Sequence, residues 1–145
     1  MIDLKELFGF LKVSNNYTID NVDINKQTHE LYIKLKSNES EVLVCPSCSK
    51  RAKKYDALSK SWRHKDFSSY KVYIVYETPR VKCSNHGVKL TSVQWAHPRH
   101  AFTKEMEYFM LELSKSMNYK DLGKVLGEHD TRVRRVIRKV AKDEK

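Results

Sequence analysis

No stretch of this 145-residue chain reaches the roughly 18 consecutive apolar residues that a membrane-spanning helix needs. Met1-Ile2-Asp3 opens no signal peptide. Both absences point to a soluble, cytoplasmic protein with no membrane partner. Cysteine is scarce and odd in number, and three residues cannot form a closed disulfide framework. In a reducing compartment, paired cysteines more often bind metal or do redox chemistry. Internal repeats and low-complexity tracts are missing, and no proline follows Pro98.

What the chain does have is positive charge, +10 in all, unevenly spread. Residues 1–44 carry five basic and seven acidic side chains, residues 45–100 twelve and three, residues 101–145 eleven and eight. The excess therefore sits in the middle third. A concentrated basic field attracts polyanions, because neutralising phosphates releases condensed counterions. Nucleic acid is the expected partner, and a solvated basic surface is the plainer alternative. With 40% apolar and 32% charged residues, the core material is thin and spread over more than one unit.

Along the chain, β-rich segments come first and helical ones last. Leu4, Leu7, Phe8 and Leu11 have helical spacing, which predicts a short amphipathic helix starting at Asp3. Tyr17 to Ile24 and Glu30 to Leu35 read as strands separated by a polar turn. Tyr70 to Tyr76 is the clearest strand, with Val72, Ile74 and Tyr76 on one face. Ala52 to Leu58 and Trp62 to Phe67 read as two shorter strands. After His86 the chain reads as a linker with little periodicity. Trp62 and Trp95 suit packing better than base stacking, since no regular aromatic stripe accompanies them.

Cys45-Pro46-Ser47-Cys48 is a C-x2-C knuckle, and Cys83-Ser84-Asn85-His86 offers C-x2-H. Two intervening residues let the chain turn back so that both side chains meet one ion, and two such turns complete a tetrahedral shell. Thiolate and imidazole suit zinc, and four protein ligands leave no open position, so the site reads as one structural zinc ion. The 34 residues between the pairs exceed the usual finger spacing. His64, His97 and His100 are alternative fourth ligands, with His86 preferred on spacing alone. The plainer alternative is three buried cysteines and a surface histidine. Redox and nucleophilic roles find no supporting pattern around the cysteines.

Three helices fit residues 103–143. The first, Thr103 to about Met117, carries Met106, Phe109, Met110 and Leu113 on one face. Asn118 is placed to cap the second, whose apolar face is Leu122, Val125 and Leu126. Gly127-Glu128-His129 is a short turn, Asp130 caps the third helix, and Val133, Val136, Ile137 and Val140 face inward. Helix, glycine turn and helix make the layout of a helix-turn-helix. At about 100° per residue, Thr131, Arg135, Arg138 and Lys142 line the side opposite the apolar face, flanked by Arg132, Arg134 and Lys139. Thr131, Arg132, Arg134 and Arg135 are candidates for base readout, and Arg138 and Lys139 for phosphate. An ordinary three-helix bundle with a solvated face is the alternative. The fold class expected is α+β: a β-rich, zinc-ribbon-like domain followed by a small helix-turn-helix domain. Residues 1–44 would pack on the zinc domain, 45–100 form that domain and its linker, and 101–145 the helical unit.

The chain resembles the transposases of the ISL-three family of bacterial insertion sequences. The resemblance rests on Cys45-Pro46-x-Cys48, on Trp62-Arg63-His64-Lys65-Asp66, and on Arg80-Val81-Lys82-Cys83-Ser84-Asn85-His86-Gly87-Val88. It continues through Val93-Gln94-Trp95-Ala96, Arg99 and Phe102-Thr103 to the helical end. It implies that Cys45, Cys48, Cys83 and His86 are zinc ligands, that the third helix reads DNA, and that the target is the element's terminal inverted repeats. It also implies a bacterial, nucleoid-associated location. Gln94 and Met106 depart from the common proline and phenylalanine. Nothing through Lys145 reads as the family's DDE catalytic triad, since Asp121 and Asp130 are better explained as helix-start residues. The expectation is therefore a non-catalytic DNA-binding module. A stand-alone regulator or transposition inhibitor, a zinc-scaffolded protein adaptor and a residual nuclease are the rivals. A homodimer stays open, though no heptad run argues for one. His64 and Asp66 read as a strand-surface pair, or else as second contacts to the metal or to phosphate.

Overall fold

The computed structural model describes residues 16–37 and 42–143. The helix expected from Asp3 lies outside that range. Strands β1 (Tyr17–Asn25), β2 (Glu30–Ser37), β3 (Lys53–Phe67), β4 (Tyr70–Cys83) and β5 (Gly87–Leu90) are followed by helices α1 (Lys104–Ser114), α2 (Tyr119–Leu126) and α3 (Asp130–Asp143). One sheet takes the order β1-β2-β4-β3, with β5 pairing the far end of β4. All pairings are antiparallel except β2 with β4, where Glu30–Leu35 runs parallel to Lys71–Tyr76.

Alternation builds the sheet's core. Leu31, Ile33 and Leu35 on β2 share a face with Val72, Ile74 and Tyr76 on β4 and Trp62 on β3. The segment expected to be a linker supplies the lid of this core. Trp95 is 8% exposed and meets Tyr17, Trp62 and Tyr76 edge-on at 5.0, 5.5 and 5.4 Å between ring centres. Such pairs add roughly 0.5–1.5 kcal/mol each beyond area burial. The start of that segment is also not a linker, since Gly87–Leu90 forms β5.

The two short strands expected from 52 to 67 are a single 15-residue strand. Ser59, Lys60 and Ser61 show no apolar alternation, yet they pair with Glu77, Tyr76 and Val75 along the hairpin. Pairing with β4 overrides a weak local signal. Pro79, which has no N–H to give, falls where β4 changes partner, after the last β2 pairing at Tyr76 and before the first β5 pairing at Arg80.

The helices follow their caps. Thr103 accepts from the Met106 N–H at 3.1 Å and starts α1, while Asn118 accepts from the Asp121 N–H at 2.8 Å and starts α2. Gly127 ends α2 in the left-handed region (φ 67°), as a C-terminal glycine does. Asp130 is the first residue of α3 rather than its cap, since the carbonyl of His129 takes the N–H of Val133 at 3.1 Å. Phe102, Met106, Met110, Leu122, Leu126, Val133 and Ile137 form the helical core. Val125, expected on the apolar face of α2, is 61% exposed. Its place is one step around the helix from Leu122 and Leu126, beyond the reach of α1 and α3.

Backbone and side chains tie the helices to the sheet edge. The Arg63 N–H donates to Ala101 O, and the Thr103 N–H to Arg63 O, both at 2.9 Å. The guanidinium of Arg63, 3% exposed, donates to Glu128 Oε2 at 2.7 Å and to Asp66. Lys71 Nζ donates to the carbonyl of Gly127 at 2.8 Å. His64 is not a surface residue: it is 1% exposed, with Nδ1 2.7 Å from the Thr103 hydroxyl. Neither expected reading of the His64–Asp66 pair holds, because His64 is buried against Thr103 and Asp66 accepts from Arg63. His64 braces the start of α1, and Asp66 serves Arg63.

Candidate metal centre and nucleic-acid interface

Two tight turns bring the metal donors together. In the first, the Cys45 N–H donates to Lys50 O at 2.9 Å and the Ser49 N–H returns to Cys45 O at 2.7 Å. Ser49 takes a left-handed conformation (φ 62°), and Val44 bridges Arg51 to close the loop. In the second, Cys83 pairs with Gly87 at the β4–β5 turn, where Gly87 has φ 72°. That positive φ favours glycine. Strands β3 and β4, paired from Lys53–Lys82 onward, hold the two turns side by side.

One donor atom from each of Cys45, Cys48, Cys83 and His86 lies within 4.8 Å of the other three. Cys48 Sγ is 3.8 Å from Cys83 Sγ, and His86 Nδ1 is 3.5 Å from Cys83 Sγ and 3.8 Å from Cys45 Sγ. A tetrahedron with zinc–sulfur bonds near 2.3 Å and zinc–nitrogen bonds near 2.05 Å has edges of about 3.8 Å and about 3.6 Å. The observed spacings fit that shape. They also exclude a Cys48–Cys83 disulfide, whose sulfurs would stand about 2.05 Å apart. The donor chemistry and the spacing together support one structural zinc ion.

The turn also prepares its thiolates. Burial would raise the Cys45 thiol, but backbone N–H groups of Ser47 and Cys48 and the thiols of Cys83 and Cys48 bring it down to about 7. At Cys48 the Lys50 backbone N–H favours the thiolate. Burial and competition from Cys83 and Cys45 outweigh it, and the thiol is raised. Of these two thiols, Cys45 is the readier donor at neutral pH.

The other histidines are elsewhere. His64 is buried against Thr103, and His97 and His100 stack edge-on at 5.3 Å beside the first turn, outside the donor cluster.

On α3, Val133, Ile137 and Val140 are buried, while Thr131, Arg132, Arg134, Arg135, Arg138 and Lys139 are all exposed. Two of the six are already engaged within the fold. Arg132 lies over the Phe102 ring at 4.9 Å and 3.4 Å from Glu128, and Arg134 lies over the Tyr119 ring at 5.4 Å. Sequence reasoning missed the Arg63–Glu128 pair. Its partners are 65 positions apart, and only the invariable reluctance of buried arginine to stay unpaired could have hinted at a partner. Among the described residues, no helix is long and apolar enough to cross a membrane.

Comparison with known proteins agrees with this geometry. Residues 41–86 match the zinc-finger of transposase IS204/IS1001/IS1096/IS1165. Residues 91–141 match the helix-turn-helix domain of transposase family ISL3. The transposase for insertion sequence element IS1557 from Mycobacterium tuberculosis, in strains CDC 1551 / Oshkosh and ATCC 25618 / H37Rv, is 33% identical over 78 residues. That stretch covers 50% of this chain and 18% of the relative's length. No solved structure matches the chain significantly. The donor cluster falls inside the first match and the capped helices inside the second, so the chain carries, in order, the zinc ribbon and the helix-turn-helix of the ISL3 transposase family.

Proposed function

We propose that the chain binds double-stranded DNA in a sequence-specific way, as the DNA-reading part of an insertion-sequence transposase, with the element's terminal inverted repeats as target. The observation that carries this reading is α3. It is a helix-turn-helix second helix with one apolar side sealed against α1 and α2 and the other side exposed and basic. Thr131 and Arg135 lie early enough on α3 to reach base edges, and arginine's fork suits the O6 and N7 of guanine. Arg138 and Lys139 suit phosphates. Arg132 and Arg134, tied to Phe102 and Tyr119, would set the helix's pose as much as read bases.

In this reading Cys45, Cys48, Cys83 and His86 are the zinc ligands. The ion, when bound, cross-links the β4–β5 turn to the loop before β3 and takes no part in a reaction. Functionally we divide the chain into residues 1–44, residues 45–100, which hold the zinc domain and its linker, and residues 101–145, the reader.

The test is selection from a pool of random duplexes, followed by binding of the enriched sequence and a scrambled one. Arg135→Ala should weaken binding to the enriched site by roughly 1–3 kcal/mol and leave scrambled DNA nearly unaffected. A pool that enriches nothing would remove sequence specificity from this reading. Equal loss on both duplexes would make Arg135 a phosphate contact.

A further inference from the structure

Beside the first metal turn, a cleft of about 840 Å³ opens between Pro46–Ser47 and residues 97–101. Lys60, Lys89, Arg99, His97 and His100 line it, and among the described residues no carboxylate does. A smaller cleft of about 460 Å³ shows the contrast. There Asp20 and Glu77 stand among Lys34, Lys36 and Lys54, and an anion would meet both signs. In the larger cleft Lys60, Lys89 and Arg99 are exposed, and none of the three side chains has an ion-pair partner among the described residues. His100 is held from behind, its Nδ1 2.7 Å from Oε2 of Glu107, a side chain only 4% exposed.

The turn that presents Arg99 is unusual. The His100 N–H donates to His97 O at 3.1 Å, Pro98 takes the second position, and Arg99 the third with φ 67°. A positive φ after proline fits a type II turn, whose third position favours glycine or asparagine. Arginine there is strained, and strain of this kind persists where the side chain is put to use.

We propose that this cleft is a second contact site for duplex DNA, gripping the phosphate backbone next to the bases that α3 reads. The proposal rests on the DNA-binding reading above. Arg99 offers a fork for phosphate oxygens, and Lys60 and Lys89 offer point charges. The cleft and the reader are neighbours. Phe102, under the Arg132 guanidinium at 4.9 Å, is three residues from Arg99, and three residues span at most about 11 Å. In this proposal one duplex meets both.

The test compares the zinc-loaded full chain with Arg99→Gly and with the Lys60→Gln/Lys89→Gln double variant, titrating a labelled random-sequence duplex across a salt series. Arg135→Ala runs in parallel. Glycine suits the turn, so Arg99→Gly should keep or raise Tm, and lost binding cannot be blamed on misfolding. The expected result is weaker binding to every sequence, with the log–log salt slope smaller by about one for each contact removed. Arg135→Ala should instead change preference between sequences. If the native chain binds duplex tightly and both cleft variants keep its affinity and slope, the cleft proposal is overturned and the DNA reading stands. If the native chain fails to bind duplex at all, the DNA reading falls and the cleft falls with it.

Discussion

The helical unit and the metal end of the sheet hold themselves together in opposite ways. Phe102, Met106, Met110, Leu122, Leu126, Val133 and Ile137 give the helices an apolar core of their own. At the far end of the β3–β4 hairpin, β3 from Lys53 to Ser61 has no fully buried side chain, and the apolar residues there include the exposed Tyr55 and Leu58. It is at this end that the four metal donors gather. Where the chain buries little apolar material, Val81 apart, ligand donors supply the cross-link instead. That is a common solution for a small basic domain, whose phosphate-binding surface leaves little sequence for a core.

Removing the metal tests the contrast most severely. Chelation, or Cys48→Ser, should cost on the order of 10 kcal/mol of apparent free energy at neutral pH. Amide exchange should rise across Lys53–Ser61 and Arg80–Leu90 while α1 to α3 keep their protection. Helices that melt together with the hairpin would show that the two regions are one cooperative unit.

Acid should reach the same end by titration. The folded Cys45 thiol sits at about 7, below its ordinary value. Its contribution is therefore complete above the ordinary thiol range and is lost as pH falls through about 7. Protons compete with zinc for Cys45, so the apparent zinc affinity, measured by competition with a coloured chelator, should fall as pH drops through that window. An apparent affinity that does not change with pH there would contradict a thiolate donor at Cys45.

A smaller loss is expected where the two regions meet. Glu128→Ala leaves the nearly buried Arg63 with Asp66 as its remaining carboxylate, and breaking a buried pair costs about 3–5 kcal/mol. Calorimetry should show the unfolding of helices and sheet moving further apart in temperature as the two uncouple. A thermogram unchanged by the substitution would mean that the backbone bridge of Arg63 to Ala101 and Thr103 suffices. Smallest is Asn118→Ala, which removes the cap of α2 for about 1 kcal/mol and should lower helical stability without altering zinc content.

Much of this was legible in residue order, because the relevant physics is local. Leu31, Ile33 and Leu35 alternate, Cys45 and Cys48 stand at ligand spacing, and Asn118 precedes its helix by one residue. What was hidden depends on distant partners. Ser59-Lys60-Ser61 is a strand only because β4 lies beside it. His64 belongs to a polar run, Arg63-His64-Lys65-Asp66, and its burial follows from the docking of Thr103, 39 positions on. Trp95 sits in a stretch without periodicity, and it is needed there as a lid, a role that has no repeat to announce it.

The parallel pairing of β2 with β4 has a consequence for the order of assembly. During synthesis β1 and β2 form a local hairpin early, but the second edge of β2 must wait for Lys71–Tyr76, some forty residues later. At about 5–20 residues per second, that edge stays open for roughly 2–8 s. Long-range pairing of this kind is intrinsically slow. For those seconds the β2 edge that carries Leu31, Ile33 and Leu35 is an unpaired template on which another nascent chain can pair.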